Sequence, residues 1–216
     1  MDNQTIDLRP NRTDWDLARE VHDEFAQKPG ATHIATEFAL AHLSALVRAV
    51  RPTKVLEFGV GIGTISQLLL SHPNTIETVN STESNRFCIE ALTAQFCDHF
   101  PQHFELITDP ELLDLERQYF DLVVIDGLLE PGQFDALQRD SFCFVEGSRK
   151  STRKTITKEL QRRNLTITFE NYNRGVRYFD WSMQFPDGRA RKSPKFKFRK
   201  ILKGCWVGKV SGMTHT

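Results

Sequence analysis

The feature that most constrains the fold is a regular alternation of short apolar runs and helical patterns that begins at Lys54. The apolar runs are typical of buried strands and lie at 55–58, 76–80, 104–108, 120–126 and 142–147. Helical patterns separate them near 64–71, 84–99, 111–117 and 131–139. Strands that alternate with helices form βαβ crossovers and a parallel sheet covered on both faces. The sequence therefore predicts an α/β fold with an open, doubly wound sheet.

The segments on either side of this alternation extend the same domain. Two helical patterns precede it, and a basic helical pattern at 149–163 and strand patterns at 165–171 and 204–210 follow it. We expect the late strands to form an antiparallel C-terminal edge, which gives a mostly parallel, seven-stranded, Rossmann-like sheet. The prediction is a single domain over 1–216, with an N-terminal helical cover (1–52), a core (53–147), and a basic C-terminal sheet extension (148–216) carrying an inserted hairpin at about 173–200.

Composition argues against a membrane-spanning protein and against a cysteine-based metal or redox site. Charged residues make up 26% of the chain and apolar residues 39%, and no apolar run approaches the roughly 20 residues that span a bilayer. The first residues are polar and lack an apolar targeting segment, so a cytoplasmic protein without membrane partners is expected. The four cysteines form no CxxC pair and no zinc-type cluster with histidine.

The formal net charge of zero conceals a division along the chain. Residues 1–146 hold 24 acidic and 10 basic side chains, whereas residues 147–216 hold 4 acidic and 18 basic ones. A basic segment with interleaved aromatic residues is typical of surfaces that bind nucleic acid or another anion. The alternative is that the basic segment faces the acidic body, within one molecule or across a homodimer. The sequence leaves both interpretations open.

The most informative segment is VLEFGVGIGT at 55–64, in which a strand runs directly into three alternating glycines and then a helix. Glycines at such a turn let a ligand approach the backbone closely, because no Cβ intervenes. A dinucleotide fingerprint, G-x-G-x-x-G, would place its third glycine at Thr64, but here that glycine is Gly63. NAD is therefore disfavoured. The carboxylate of Glu57, just before the loop, favours a ligand that carries positive charge.

With this loop the chain resembles the class I S-adenosylmethionine-dependent methyltransferases, whose first motif is an acidic residue followed by G-x-G-x-G. The resemblance covers roughly 32–147 and implies S-adenosylmethionine (SAM) as the cofactor. The first motif implies a set of cofactor-binding residues: Glu57, Phe58, Gly59, Val60, Gly61, Gly63 and Thr64. It further implies that Glu83, with Ser84 beside it, binds the ribose hydroxyls, that Asp109 binds the adenine amino group, and that Asp126 lies beside the reactive methyl group.

Within this superfamily the pattern is closest to small-molecule O-methyltransferases, but the match is incomplete. Metal-dependent members have a lysine about three residues after the aspartate that matches Asp126. They end the next strand with Asp-Asn, and these two residues are further magnesium ligands. This chain has Leu129 and Glu146-Gly147 at those places. We therefore predict no essential metal, and we take Asp126 and Glu146 as candidate catalytic residues that position the acceptor or accept its proton.

The sequence thus predicts a methyltransferase that transfers methyl from SAM to a hydroxyl of a small molecule or saccharide. Three alternatives stay open: a nucleic-acid or other anionic acceptor, a non-catalytic cofactor-binding protein, and an NAD-dependent oxidoreductase. His33 and His42, on the predicted second helix, are further residues within reach of the site. A helix-face histidine is nevertheless more often a packing or surface residue.

Overall fold

The computed structural model describes residues 7–96, 100–109, 113–115, 118–147, 149–173 and 204–212. A seven-stranded sheet forms the centre of the molecule. Its strands are β1 (Lys54–Phe58), β2 (Thr78–Thr82), β3 (Phe104–Ile107), β4 (Leu122–Ile125), β5 (Phe142–Glu146), β6 (Leu165–Asn173) and β7 (Gly204–Gly212). The spatial order is β3-β2-β1-β4-β5-β7-β6, and β7 runs antiparallel to both of its neighbours. The predicted fold class, including the antiparallel C-terminal edge, is confirmed.

Helices cover both faces of this sheet. They are α1 (Arg12–Ala26), α2 (Glu37–Val50), α3 (Thr64–Leu70), α4 (Arg86–Gln95) and α5 (Lys150–Arg162), with short 3-10 helices at Ala31–His33 and Pro131–Ala136. Helices α1 to α4 pack on one face, around a core that includes Val55 and Val124. Helix α5 and the second 3-10 helix pack on the other face, around Leu56 and Val123. Successive residues of β1 and β4 therefore feed opposite cores, as expected for central parallel strands.

The order of the strands determines where a ligand can bind. From β1 the chain moves outward to β2 and β3, and it then returns to the other side of β1 to form β4 and β5. The switch point lies between β1 and β4, which pair in parallel register. In open α/β sheets the crevice for ligands forms at the carboxyl ends of the strands at such a point. The glycine loop that follows Phe58 starts at this crevice.

Several predicted element boundaries are wrong by a few residues, and capping side chains explain most of them. Asn11 caps α1, because its side chain accepts a hydrogen bond from the Asp14 amide, so this helix begins at Arg12. Thr36 caps α2 through its hydroxyl group, so α2 begins at Glu37 and does not include His33, which was predicted to lie on it. Asn85 caps α4 in the same way, which places Ser84 before the helix rather than at its start. The second predicted strand lies two residues later than expected.

Two predicted helices between the central strands also differ. The pattern at 131–139 forms the 3-10 helix Pro131–Ala136, which begins after Glu130 with a proline at its first position. Of the pattern at 111–117, residues 113–115 are described and are not helical. The predicted hairpin at about 173–200 lies outside the described residues, apart from Asn173, which ends β6. Strand register places both Asn173 and Gly204 beside the carboxyl end of β5.

No helix in the described part of the chain combines the length and the apolar character needed to cross a membrane.

Candidate active site

The three glycines after β1 have left-handed backbones and differ in what surrounds them. A Cβ on Gly63 would lie 2.5 Å from Leu92 Cδ1, and one on Gly59 would lie 3.2 Å from the carbonyl oxygen of Asp126. At Gly61 a Cβ would meet nothing within 4 Å. The first and third glycines are therefore required by the packing of the protein itself. The second leaves open space beside the backbone, where a ligand can approach.

The residues around these glycines fix the loop. Phe58 is buried at the end of β1, and the amide of Val60 donates to the carbonyl oxygen of Thr82 in β2 at 3.1 Å. Thr64 is the first residue of α3, and its hydroxyl group is buried without a hydrogen-bond partner among the described residues. An unpartnered buried hydroxyl has a cost that a ligand could remove.

Glu57 lies beneath the loop rather than in the crevice. Its side chain is fully buried, and its Oε2 accepts hydrogen bonds from the hydroxyl groups of Ser66, at 2.5 Å, and Ser81, at 2.7 Å. Within the described structure Oε1 has no hydrogen-bond donor. The pKa of Glu57 is raised to about 7, and burial is the main cause. The nearby charges of Asp126 and Glu83 also raise it, whereas the two serine hydrogen bonds lower it. The prediction that this carboxylate touches a ligand is untested.

Glu83 connects the glycine loop to the start of α4. Its Oε2 accepts a hydrogen bond from the amide of Gly61 at 2.9 Å, and its Oε1 accepts from the amides of Ser84, at 2.9 Å, and Asn85, at 2.8 Å. Three main-chain donors hold the carboxylate in one orientation at the edge of the open space beside Gly61. The structure thus brings Glu83, Ser84 and the glycine loop together, as the sequence predicted.

Asp109 follows β3 by two residues and is exposed. It lies at the carboxyl edge of the sheet, as expected, on the side of β2 that is remote from β4. Its role at an adenine group remains a prediction.

Asp126 follows β4, Glu146 ends the adjacent strand β5, and the two form one acidic pair. Their carboxyl groups are close enough to shift the pKa of one another. Burial is the main cause that raises the pKa of Asp126 to about 6 and that of Glu146 to about 7. The main-chain amide of Thr36, just before α2, acts in the opposite direction and lowers the pKa of Glu146. Carboxyl groups that titrate near neutral pH are suited to acid–base chemistry.

The sequence reasoning missed Arg149 as a member of this site and treated it only as part of a basic cluster. Its Nη2 lies 2.6 Å from Asp126 Oδ1 and 4.0 Å from Glu146 Oε2. The same nitrogen donates to the carbonyl oxygen of Asp126 at 3.0 Å, and Nε donates to the carbonyl oxygen of Glu146 at 3.1 Å. A signal was present, because a basic residue three positions after a strand-end acid can fold back onto it.

The two histidines differ in position. His33 is exposed in the first 3-10 helix, outside α2. His42 is buried on α2, where its Nδ1 lies 2.9 Å from the carbonyl oxygen of Phe38 and its ring packs against Phe38 and Tyr172. Burial lowers the pKa of His42, which favours the neutral ring. His42 is therefore a packing residue.

A separate cavity of about 270 Å³ lies at the opposite edge of the sheet. Residues at the amino ends of the strands line it, among them Lys54, Thr78 and Phe104. It is remote from the glycine loop and the acidic pair.

Three largely buried carboxyl groups near the carboxyl edge of the sheet predict how stability depends on pH. The pKa values of Glu57, Asp126 and Glu146 are raised above their ordinary values of 4.5, 3.8 and 4.5, so the folded protein holds protons that the unfolded chain has lost. The contribution of these groups to the free energy of unfolding is therefore largest at low pH, and it falls as pH rises from about 5 to about 8. We expect urea unfolding of the ligand-free protein to show this fall, and Glu57→Gln to reduce it.

The control for that experiment is Glu77→Gln, which changes an exposed glutamate and should leave the pH dependence as it is. A free energy of unfolding that rises between pH 5 and 8 in the wild type, or a Glu57→Gln variant with an unchanged slope, would contradict the prediction.

Known structures share this architecture over most of the chain. A Podospora anserina methyltransferase bound to S-adenosylhomocysteine (SAH) superposes with a TM-score of 0.56 at 12% identity, covering 92% of this chain and 88% of the other. The SAM complex of an O-methyltransferase from Streptomyces achromogenes gives 0.53 at 16% identity, covering 94% and 91%. A Pyrococcus horikoshii protein proposed to be an RNA methyltransferase gives 0.55 at 14% identity, covering 92% and 100%. The chain has the class I methyltransferase fold.

No protein-family model and no curated protein matches the chain. At these sequence identities the structural likeness establishes the fold alone. Within the class I methyltransferase fold, the glycine loop, Glu83 and the acidic pair all lie along the carboxyl edge, on both sides of the switch point. The chemistry of the site must therefore be argued from these side chains.

Proposed function

We propose that this chain is a SAM-dependent methyltransferase that methylates a hydroxyl group of a small molecule or a saccharide. The observation that carries the proposal is the open space at Gly61, with Glu83 bonded to its amide and the carboxyl groups of Glu57 and Asp126 nearby. The fold supplies a crevice at this point, and the carboxyl groups favour a ligand with positive charge.

Charge distinguishes SAM from a dinucleotide. SAM carries a sulfonium and an ammonium group, whereas NAD carries a negatively charged pyrophosphate. Carboxyl groups at the crevice are close enough to raise the pKa of one another: Glu83 acts on Glu57 and on Asp126, and Asp126 acts on Glu146. A ligand that brings positive charge relieves this repulsion, and a pyrophosphate increases it. The spacing of the glycines supports the same choice.

The acidic pair supplies the proton acceptor for a hydroxyl nucleophile. When bound, the sulfonium supplies a methyl group that an acceptor oxygen can displace in line, with the C–S electron pair returning to sulfur. The residues of the chain align the reactants and remove the hydroxyl proton, since an O–CH₃ bond forms as the O–H bond breaks. The Asp126–Glu146 pair, whose pKa values are raised to about 6 and about 7, has a carboxylate oxygen to receive that proton and can release it to solvent.

Isothermal titration calorimetry at pH 8 tests the cofactor assignment. We expect one-site binding of SAM and weaker binding of SAH, because SAH lacks the sulfonium charge. In a separate thermal-unfolding assay, NAD⁺ should not raise the melting temperature. Glu83→Ala should weaken SAM binding strongly, because it removes the acceptor that orients the Gly61 amide. Glu77→Ala, an exposed residue near the start of β2, is the matched control. A wild-type protein that binds no SAM would contradict the proposal.

A second candidate function keeps the cofactor and changes the acceptor to a nucleic acid. Lys150, Lys154 and Lys158 are exposed on α5, and one structural neighbour is proposed to act on RNA. Other basic residues here have partners within the molecule: Arg163 pairs with Asp135 at 3.0 Å, and the Arg153 guanidinium stacks on the Trp206 ring. These contacts support the first candidate, because they reduce the charge left for phosphates.

The acceptor class is tested with a short RNA duplex and a single strand at increasing salt. Binding that weakens steeply with salt and is reduced by Lys154→Ala would favour the nucleic-acid acceptor. A panel of hydroxylated small molecules, assayed for SAH formation, tests the first candidate. SAM binding without turnover on any acceptor would favour a non-catalytic cofactor-binding protein.

A further inference from the structure

Arg149 stands between the two carboxyl groups that end β4 and β5. Its Nη2 makes an ion pair of 2.6 Å with Asp126 and lies 4.0 Å from Glu146, while two main-chain carbonyl oxygens accept from Nη2 and Nε. The side chains of the two acids are 16% and 15% exposed, and that of Arg149 is 33% exposed. A positive charge is thus held at a fixed place within a largely buried acidic pair.

A divalent cation does not fit this arrangement. Among the described residues, no three His, Cys, Asp or Glu side chains lie close enough together to hold a metal ion. A cation that bound both Asp126 and Glu146 would have to displace the guanidinium, with the loss of its four main-chain and carboxylate contacts.

We propose that Arg149 takes the place of a divalent cation at the acidic pair and acts as the positioning residue for proton acceptance. Its guanidinium provides a permanent positive charge and planar donors, which suit carboxylates. Its charge lowers the pKa of both acids against the effect of burial, and so favours a carboxylate that can accept a proton. The positioning part of this proposal rests on the proposed function.

The same geometry points to the class of acceptor. No described residue accepts a hydrogen bond from Nη1 of Arg149, and the side chain is partly exposed, so this nitrogen is left to face solvent or a ligand. Its N–H groups can donate to an acceptor oxygen as negative charge develops there. We therefore expect an acceptor bound through a single hydroxyl oxygen, and no requirement for the two adjacent oxygens with which a diol chelates a metal.

Binding of Mn²⁺, followed by electron paramagnetic resonance without any cofactor, tests the proposal. We expect no binding in the wild type. In Arg149→Met, which keeps the aliphatic stem and removes the charge, two buried carboxyl groups lose their counter-charge, and Mn²⁺ should bind at least about tenfold more tightly than the upper limit set by the wild type. Adding Asp126→Asn to this variant should abolish the gain. Arg149→Lys should restore the exclusion of Mn²⁺, because a cation again occupies the site.

The matched control is Arg153→Met. Arg153 lies about one turn further along the chain, in α5, and its guanidinium stacks on the Trp206 ring instead of pairing with Asp126 or Glu146. This variant should bind no Mn²⁺. If the wild type binds Mn²⁺ and loses it with Asp126→Asn, the proposal is overturned; it is equally overturned if a folded Arg149→Met binds none. Should Arg149→Met fail to fold, Arg149→Ala provides the same comparison.

The outcome does not depend on SAM, so failure of the proposed function and failure of this inference give different results. If Mn²⁺ binds only after Arg149 is replaced, the proposed role of Arg149 is supported even if calorimetry finds no SAM binding. Conversely, SAM binding together with Mn²⁺ binding in the wild type leaves the cofactor assignment in place and removes the role of Arg149. Once an acceptor is found, wild-type turnover should be unchanged by a chelator.

Discussion

Gly61→Arg is expected to lower the affinity for SAM by at least about 100-fold, equivalent to about 2.7 kcal/mol, while the protein remains folded. At this position a Cβ meets no atom within 4 Å, so the new side chain projects into the open space of the crevice instead of into the core. It fills the place where the ligand must approach the backbone. The positive φ of 56° adds a local strain of only about 1–2 kcal/mol. Calorimetric titration with SAM and thermal unfolding measure the two effects separately.

The control is Gly132→Arg. Gly132 also has open space around its Cβ position and is exposed, but it lies in the 3-10 helix Pro131–Ala136. This variant introduces the same side chain and the same charge, and we expect its SAM affinity to match the wild type. Equal losses in both variants would show that net charge rather than occupancy of the crevice is responsible. Full SAM affinity in Gly61→Arg would place the ligand elsewhere.

Asp14→Ala is expected to lower the free energy of unfolding by about 2–3 kcal/mol, because it removes a helix cap and the charge-assisted hydrogen bonds of a buried carboxylate. Asp14 is only 3% exposed, although it belongs to the outermost helix. Its carboxylate accepts hydrogen bonds from the Asn11 amide at 2.9 Å, the Ser44 hydroxyl group at 2.8 Å and the Arg48 guanidinium at 3.0 Å. One side chain thus caps α1 and joins it to α2. Urea unfolding at pH 7 measures the loss.

Asp16→Ala provides the comparison, because it removes an acid from the same helix at an exposed position. The side chain of Asp16 is 57% exposed, and its ion pairs with Arg12 and Arg19 are both 3.6 Å long. Such surface pairs contribute about 0–1 kcal/mol, so this variant should unfold close to the wild type. A loss below about 1 kcal/mol in Asp14→Ala would mean that the α1–α2 contact contributes little to the stability of the domain.

The sequence was sufficient to predict the order of helices and strands and the edge of the sheet at which the acids lie. Buried strands such as β4 are continuous apolar runs. The polar residue that ends each run marks the end of the strand, and Asp126 and Glu146 were chosen as candidates for this reason. Capping was harder, because Thr36 and Asn85 are recognisable as caps only when the first turn of the helix is known. Helix starts were therefore wrong by several residues.

Contacts between elements could not be predicted in the same way. Glu57 reads as a strand-end carboxylate, but its burial depends on Ser66 in α3 and Ser81 in β2, which the strand pattern does not reveal. The position of Arg149 depends on the register between β4 and β5 and on the turn after Glu146. The spacing of three residues from Glu146 permits the contact, but it does not show that Asp126 is the partner.

The main-chain amide of Thr36, which lowers the pKa of Glu146, constrains how this protein can diverge. Nineteen of the twenty amino acids could supply this amide, and only proline would remove it. The hydroxyl group of the same residue caps α2, a task that serine, asparagine or aspartate could take over. The side chain at this position can therefore change without loss of the main-chain amide that lowers the pKa of Glu146.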